Sequence, residues 1–188
     1  MMRRAVVASA LVVALVALTV GALALTRDPR TPARPALTEA EYVAWEQEML
    51  PHLQAGGKTV EHGMKAAIDD LQNRHVVPAS VIAGEADAWI ESLTATKARV
   101  AAVPTPEVLL PARADFVAAI EEYVAAAREF KKAALAPAGK QRADLVAAGI
   151  AHGEAADDIY DRGGFLVQDV RRSVGLPESD NFPRRLDE

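Results

Sequence analysis

The stretch D-F-V-A-A-I-E-E-Y-V-A-A-A-R-E-F, residues 115–130, decides the fold class. Phe116, Tyr123 and Phe130 stand seven residues apart, with Ile120 and Ala127 between them. At 3.6 residues per turn this spacing keeps all five on one helical face, whereas a strand would scatter them over both faces. Glu121, Glu122, Arg128 and Glu129 fall on the other faces. The stripe predicts an amphipathic helix whose rings fill an interior together with Trp89.

Turn signals bound this helix on both sides. Pro137-Ala138-Gly139 closes it. Pro104-Thr105-Pro106 opens it, with Thr105 expected as the cap and Pro106 at the first helical position. Upstream, Ile82, Ala86, Trp89, Leu93, Thr96, Val100 and Val103 alternate steps of four and three, a heptad-like seam on a helix expected to be capped by Ser80. Downstream, Leu145, His152, Ile159 and Leu166 are again seven apart, on a helix running from about Lys140 to Val174 with a bend expected at Gly163-Gly164.

The first helix opens with Thr38-Glu39-Ala40-Glu41, the pattern of a capping box. It carries Tyr42, Trp45, Met49 and Leu53, then Val60, Met64, Ala67 and Leu71. Pro51 and Gly56-Gly57 lie between the two sets and predict a kink, because proline removes a backbone donor and glycine disfavours helix. Long amphipathic helices joined by short connections pack as antiparallel neighbours. The expected fold is therefore all-α: an up-down-up-down four-helix bundle over residues 38–175, with kinked first and fourth helices.

What precedes the bundle is of another kind. After Arg3 and Arg4, an uncharged apolar run begins at Ala5 and ends at Leu25. A run of about 20 such residues spans a bilayer core of ~30 Å. Ala22-Leu23-Ala24 also fits a signal-peptidase pattern, so residues 1–25 read as a membrane anchor or a cleaved signal. Either reading puts the domain outside the cytoplasm, single-pass if anchored and secreted if cleaved. Residues 26–37, rich in proline and arginine, read as a stalk. Residues 176–188 have no apolar period and read as a loosely ordered tail.

Composition narrows the chemistry. The chain of 188 residues has no cysteine and a net charge of −5. That excludes disulfides, thiolate metal sites and a thiol nucleophile, and it argues against nucleic acid as a partner. No Glu-x-x-His, H-E-x-x-H or G-x-S-x-G occurs, and Gly56-Gly57-Lys58-Thr59 lacks the earlier glycine of a phosphate loop. The acidic set Glu154, Asp157, Asp158 and Asp161 reads as a solvated face.

Two constellations stand out. His152 lies in an apolar stripe and is expected to line a bundle pocket with Tyr123 and Trp89. Met49, His52, His62 and Met64 pair thioethers with imidazoles, donors that suit a soft metal such as Cu(I). The leading reading is a membrane-anchored extracytoplasmic bundle without catalytic activity or cofactor, binding a partner protein or envelope component. The alternative is a small-ligand or metal module, for copper or haem.

Overall fold

A computed structural model describes residues 37–73 and 78–183. The apolar run of residues 5–25 and most of the stalk lie outside the described residues. Within those residues no helix is long and apolar enough to cross a membrane.

Every regular element of the described chain is a helix, and the described residues contain no strand. Helix α1 (Glu39–Thr59) passes through a π-turn (Val60–Met64) into α2 (Lys65–Asn73). Helices α3 (Ala79–Ala102), α4 (Leu110–Leu135) and α5 (Lys140–Ser173) follow, with a 3-10 turn (Glu107–Leu109) ahead of α4. These make four helical stretches, each of the last three packing on the one before it, and the α4–α5 interface is the most extensive.

The capping box forms: the Glu41 amide donates to Thr38 Oγ1 at 3.2 Å, and the Thr38 amide donates to Glu41 Oε2 at 2.8 Å. Two other expected caps do not. Helix α3 starts at Ala79 with Pro78 as its cap residue, so Ser80 already lies inside the first turn. Thr105 donates to the Val103 carbonyl at 2.8 Å and accepts from Trp45 Nε1 at 3.3 Å, tying a loop to α1 instead of capping a helix. Pro111 occupies the start of α4, where its missing N–H would have had no helical partner.

Helix α1 continues through Pro51 and Gly56-Gly57, and the irregularity falls one turn later, in the π-turn. Every predicted apolar position of this stretch is buried: Tyr42, Trp45, Met49, Leu53, Val60, Met64, Ala67 and Leu71. All seven seam residues of α3 are buried too.

Helix α5 departs from the reading. Leu145, His152, Ile159 and Leu166 are half-buried, and the inner line is instead Val146, Gly149, Ala156, Gly163 and Val167. Small residues win the inner face because α4 presents large rings there. A Cβ on Gly149 would sit 2.5 Å from Phe130 Cε1, and one on Gly163 would sit 3.0 Å from Phe116 Cε1. Phe116 and Phe130 are buried as expected, while Tyr123 stays half-buried at the edge.

Polar pairs tie the helices together. Lys131 meets Asp87 at 2.7 Å and Lys97 meets Glu121 at 3.7 Å, between α3 and α4. Arg162 meets Asp115 at 2.6 Å and His152 meets Glu122 at 2.7 Å, between α4 and α5. Arg171 near the end of α5 grips both oxygens of Glu46 on α1, at 2.6 and 2.7 Å, and lies over the Tyr42 ring.

The chain after α5 is not loose over residues 176–183. It turns back at Gly175 (φ +85) and buries Ser179 and Phe182. Gln168 on α5 holds it through the Ser179 and Phe182 carbonyls. A pattern search misses this because one aromatic and one internal amide have no period.

Candidate functional site

The most distinctive local geometry is the π-turn, a conformation that is rare and concentrated at functional sites. Its sequence, V-E-H-G-M, carries glycine where a neighbour comes close: a Cβ on Gly63 would lie 2.5 Å from Trp89 Nε1. The indole of α3 therefore seats directly on the turn backbone.

On the other side of the turn lies an apolar groove of about 140 Å³. Val60 and Met64 from the turn and Ile68 from α2 form one wall, and Gly149, Ile150 and Gly153 from α5 form the other. Phe130 of α4 lies between them. Gly153 has open space where a Cβ would stand, which leaves that wall low. Ile150 also lines a larger depression of about 430 Å³, with Leu71 on α2, Val146 on α5 and Arg142.

Polar groups mark one part of the groove. The Tyr123 hydroxyl donates to Asp157 Oδ1, and both residues line it together with Lys65 and Glu154. Burial, reinforced by the bond to Asp157, pushes the Tyr123 phenol far above the ordinary tyrosine range. The phenol is thus held protonated and acts as a donor, not as a base. Asp161 is also raised, by desolvation first and then by its neighbours Asp157 and Asp158. Glu154, Asp157, Asp158 and Asp161 are all exposed, as a solvated face requires, and Asp157 in addition accepts the Tyr123 hydroxyl of the facing helix.

The residues singled out by sequence are distributed differently from expectation. Of His152, Tyr123 and Trp89, only Tyr123 lines the groove. His152 directs Nδ1 to Glu122 Oε2 at 2.7 Å, and Trp89 is buried against Gly63. The three do not share a pocket. Neither do Met49, His52, His62 and Met64 share a metal site. Ten residues separate His52 from His62, about 15 Å at a helical rise of 1.5 Å. Fifteen separate Met49 from Met64, about 22 Å on the same basis. Ligands of a single first-row metal ion must all lie within about 2–2.3 Å of it. Met49 is fully buried in the core, whereas His62 is exposed. Among the described residues no group of three or more histidine, aspartate or glutamate side chains is placed to hold a metal ion.

The structure joins Tyr123 to Met64, residues drawn from two separate sequence constellations. Phe130 and Ile150 complete the apolar surface between them. Sequence reasoning missed Ile150 because it stands one position outside the inner line of α5, at the margin of the interface. Compared with models of known protein families, with curated proteins and with solved structures, the chain matches none.

Proposed function

We propose that the chain is a membrane-tethered, non-catalytic binding module, held outside the cytoplasm, that takes an apolar segment of a partner protein or envelope component into the groove beside the π-turn. The groove carries this reading: an apolar trough between helices, with a single tyrosine–carboxylate pair for orientation, is the usual make-up of a recognition site. The protonated Tyr123, donating to Asp157, supplies a fixed hydrogen-bonding pair at the edge of the apolar surface, which fits orientation of a bound segment.

An up-down-up-down bundle is the architecture that goes with this reading. It is supported by pairs whose numbers rise on one helix as they fall on the next: Asp87 with Lys131 and Lys97 with Glu121, then Asp115 with Arg162 and Glu122 with His152. The π-turn supports a kink in the first helical stretch, while the bend in the last rests on the Gly163-Gly164 pair in the sequence, through which α5 runs as one helix. The tether reading rests on the apolar run of residues 5–25 and the arginine- and proline-rich stalk after it. Cleavage after that run would make the same domain a secreted one.

Two measurements test the proposal. A reporter enzyme active only after export, fused after Glu188, is expected to be active; activity of a cytoplasm-only reporter instead would overturn the location. A photoreactive side chain at Ile68, on the groove wall, should trap a partner in intact cells, and the trapping should vanish with Ile150→Asp while helix content is kept. The same probe at Thr94, exposed on α3, should trap nothing. Equal trapping at both positions, or none at Ile68, would sink the binding assignment.

A further inference from the structure

The last turns of α5 make a wall that has nothing to do with the groove. Tyr160, Gly164, Gln168 and Arg171 follow one another at steps of four, four and three, so they line one helical face. All four meet residues 177–183 or the ring that these residues cover. Phe182 stacks on Phe116, ring centroids 6.1 Å apart and planes at 22°, and Tyr160 packs on the same Phe116 at 5.2 Å. Pro183 lies over Gly164, where a Cβ would stand 2.4 Å from Pro183 Cδ. Arg171 Nε donates to the Pro177 carbonyl.

Gln168 is the informative residue. The residue is only 3% exposed, and its side-chain amide bonds to the backbone of the tail. Nε2 donates to the Ser179 carbonyl at 2.7 Å and to the Phe182 carbonyl at 3.1 Å, and Oε1 accepts from the Ser179 amide at 3.1 Å. A buried amide is costly unless its groups are satisfied, and here a peptide backbone satisfies them. The segment itself forms a small turn, with the Asn181 amide donating to Ser179 Oγ at 3.2 Å. Asp180 and Asn181 are exposed. Recognition thus uses the Phe182 and Pro183 rings together with backbone groups of Pro177, Ser179 and Phe182.

We propose that this wall is a recognition site for a Ser-x-x-Phe-Pro segment, filled here in cis by the chain's own tail and open in trans to the same segment of a second copy. The tether explains why the site is closed. A short connection raises the local concentration of the tail into the millimolar range, so even weak intrinsic affinity keeps it seated. A second copy competes only when held alongside at comparable local concentration.

The test uses the chain ended at Leu176 and a fluorescent peptide P-E-S-D-N-F-P, residues 177–183, followed by anisotropy. Saturable one-to-one binding is expected, with at least a tenfold weaker Kd for the peptide carrying Phe182→Ala. The same loss is expected for the shortened chain carrying Gln168→Ala, and the intact chain should bind at least tenfold more weakly than the shortened one. A shortened chain that melts cooperatively yet shows no saturable binding up to millimolar peptide overturns the proposal. So does binding indifferent to Phe182 and Gln168, or equal binding by the intact chain. Should the shortened chain lose its helix, the peptide is titrated against the full chain carrying Phe182→Ala, which vacates the aromatic seat alone. Saturable binding there supports the proposal, and its absence overturns it.

Discussion

Gly149 and Gly153 stand one turn apart on α5 and answer to different neighbours. A methyl at Gly149 meets the Phe130 ring at 2.5 Å, while one at Gly153 meets nothing within 4 Å. Gly149→Ala should therefore destabilise the domain, since a ring fixed in the core cannot step aside without strain; overpacking of this kind costs about 1–3 kcal/mol. Gly153→Ala should stabilise it by up to ~1 kcal/mol, through the better helix propensity of alanine. Thermal melts of the two variants are expected to move in opposite directions, and movement in the same direction would show that the α4–α5 seam is misplaced. Phe130→Ala and Phe116→Ala remove rings that are 1% and 0% exposed. Each should cost about 3–5 kcal/mol, a melting-point drop of order 10 °C for a domain of this size. An unchanged melt for Phe130→Ala would mean that the ring faces solvent.

At the level of elements, the contact between the first and last helices centres on a charge cluster. The side chains of Arg171 and Glu46 are 15% and 11% exposed, and the Tyr42 hydroxyl donates to the same carboxylate at 3.1 Å. Desolvation by burial lowers the Arg171 pKa, but its contacts with Tyr42 and Glu46 more than offset that and leave it raised. Removing one member leaves the other charge largely buried without its partner, so Arg171→Leu should cost about 3–5 kcal/mol. Replacing both, Glu46→Leu with Arg171→Leu, should recover most of that loss. A double-mutant cycle reads the coupling directly, and additive losses would remove the pair as a link between α1 and α5. No sequence pattern announces such a pair, because its members are 125 positions apart. The same holds for Gln168 and for Asp157 with Tyr123: each is polar, and apolar period carries no information about polar partners. The stripes of α1 to α4 were legible because large residues facing a core repeat at the helical period. The inner line of α5 was not. There glycine and alanine occupy the middle of the line between Val146 and Val167, and a search for bulky residues finds the line beside it.

For the whole molecule, alkaline titration follows from the three tyrosines, all of which are held above their ordinary range. Burial is the main cause in each, reinforced by Glu46 at Tyr42, by Asp157 at Tyr123 and by Asp161 at Tyr160. In the unfolded chain these phenols ionise near pH about 10. Above that value the unfolded chain releases protons that the folded chain keeps. The tyrosines' contribution to stability is then complete below about pH 10 and is lost as pH rises further. Phenolate absorbance is expected to appear together with loss of helical circular dichroism, in one transition. Phenolate formation near pH 10 with the helix intact would show that the rings are open to solvent. The glycine and alanine seam of α5 has a last consequence, for the order in which the molecule assembles. Helices α4 and α5 are joined by a four-residue connection, residues 136–139, and make the most extensive interface in the domain. Closing so short a loop loses little chain entropy, and local contacts form fastest. This pair of helices should be the folding nucleus, with α1 and α2 docking afterwards. Ala156→Gly, at the seam, is expected to slow refolding with a φ-value well above one half, whereas Leu71→Ala, on α2, should act almost wholly by speeding unfolding.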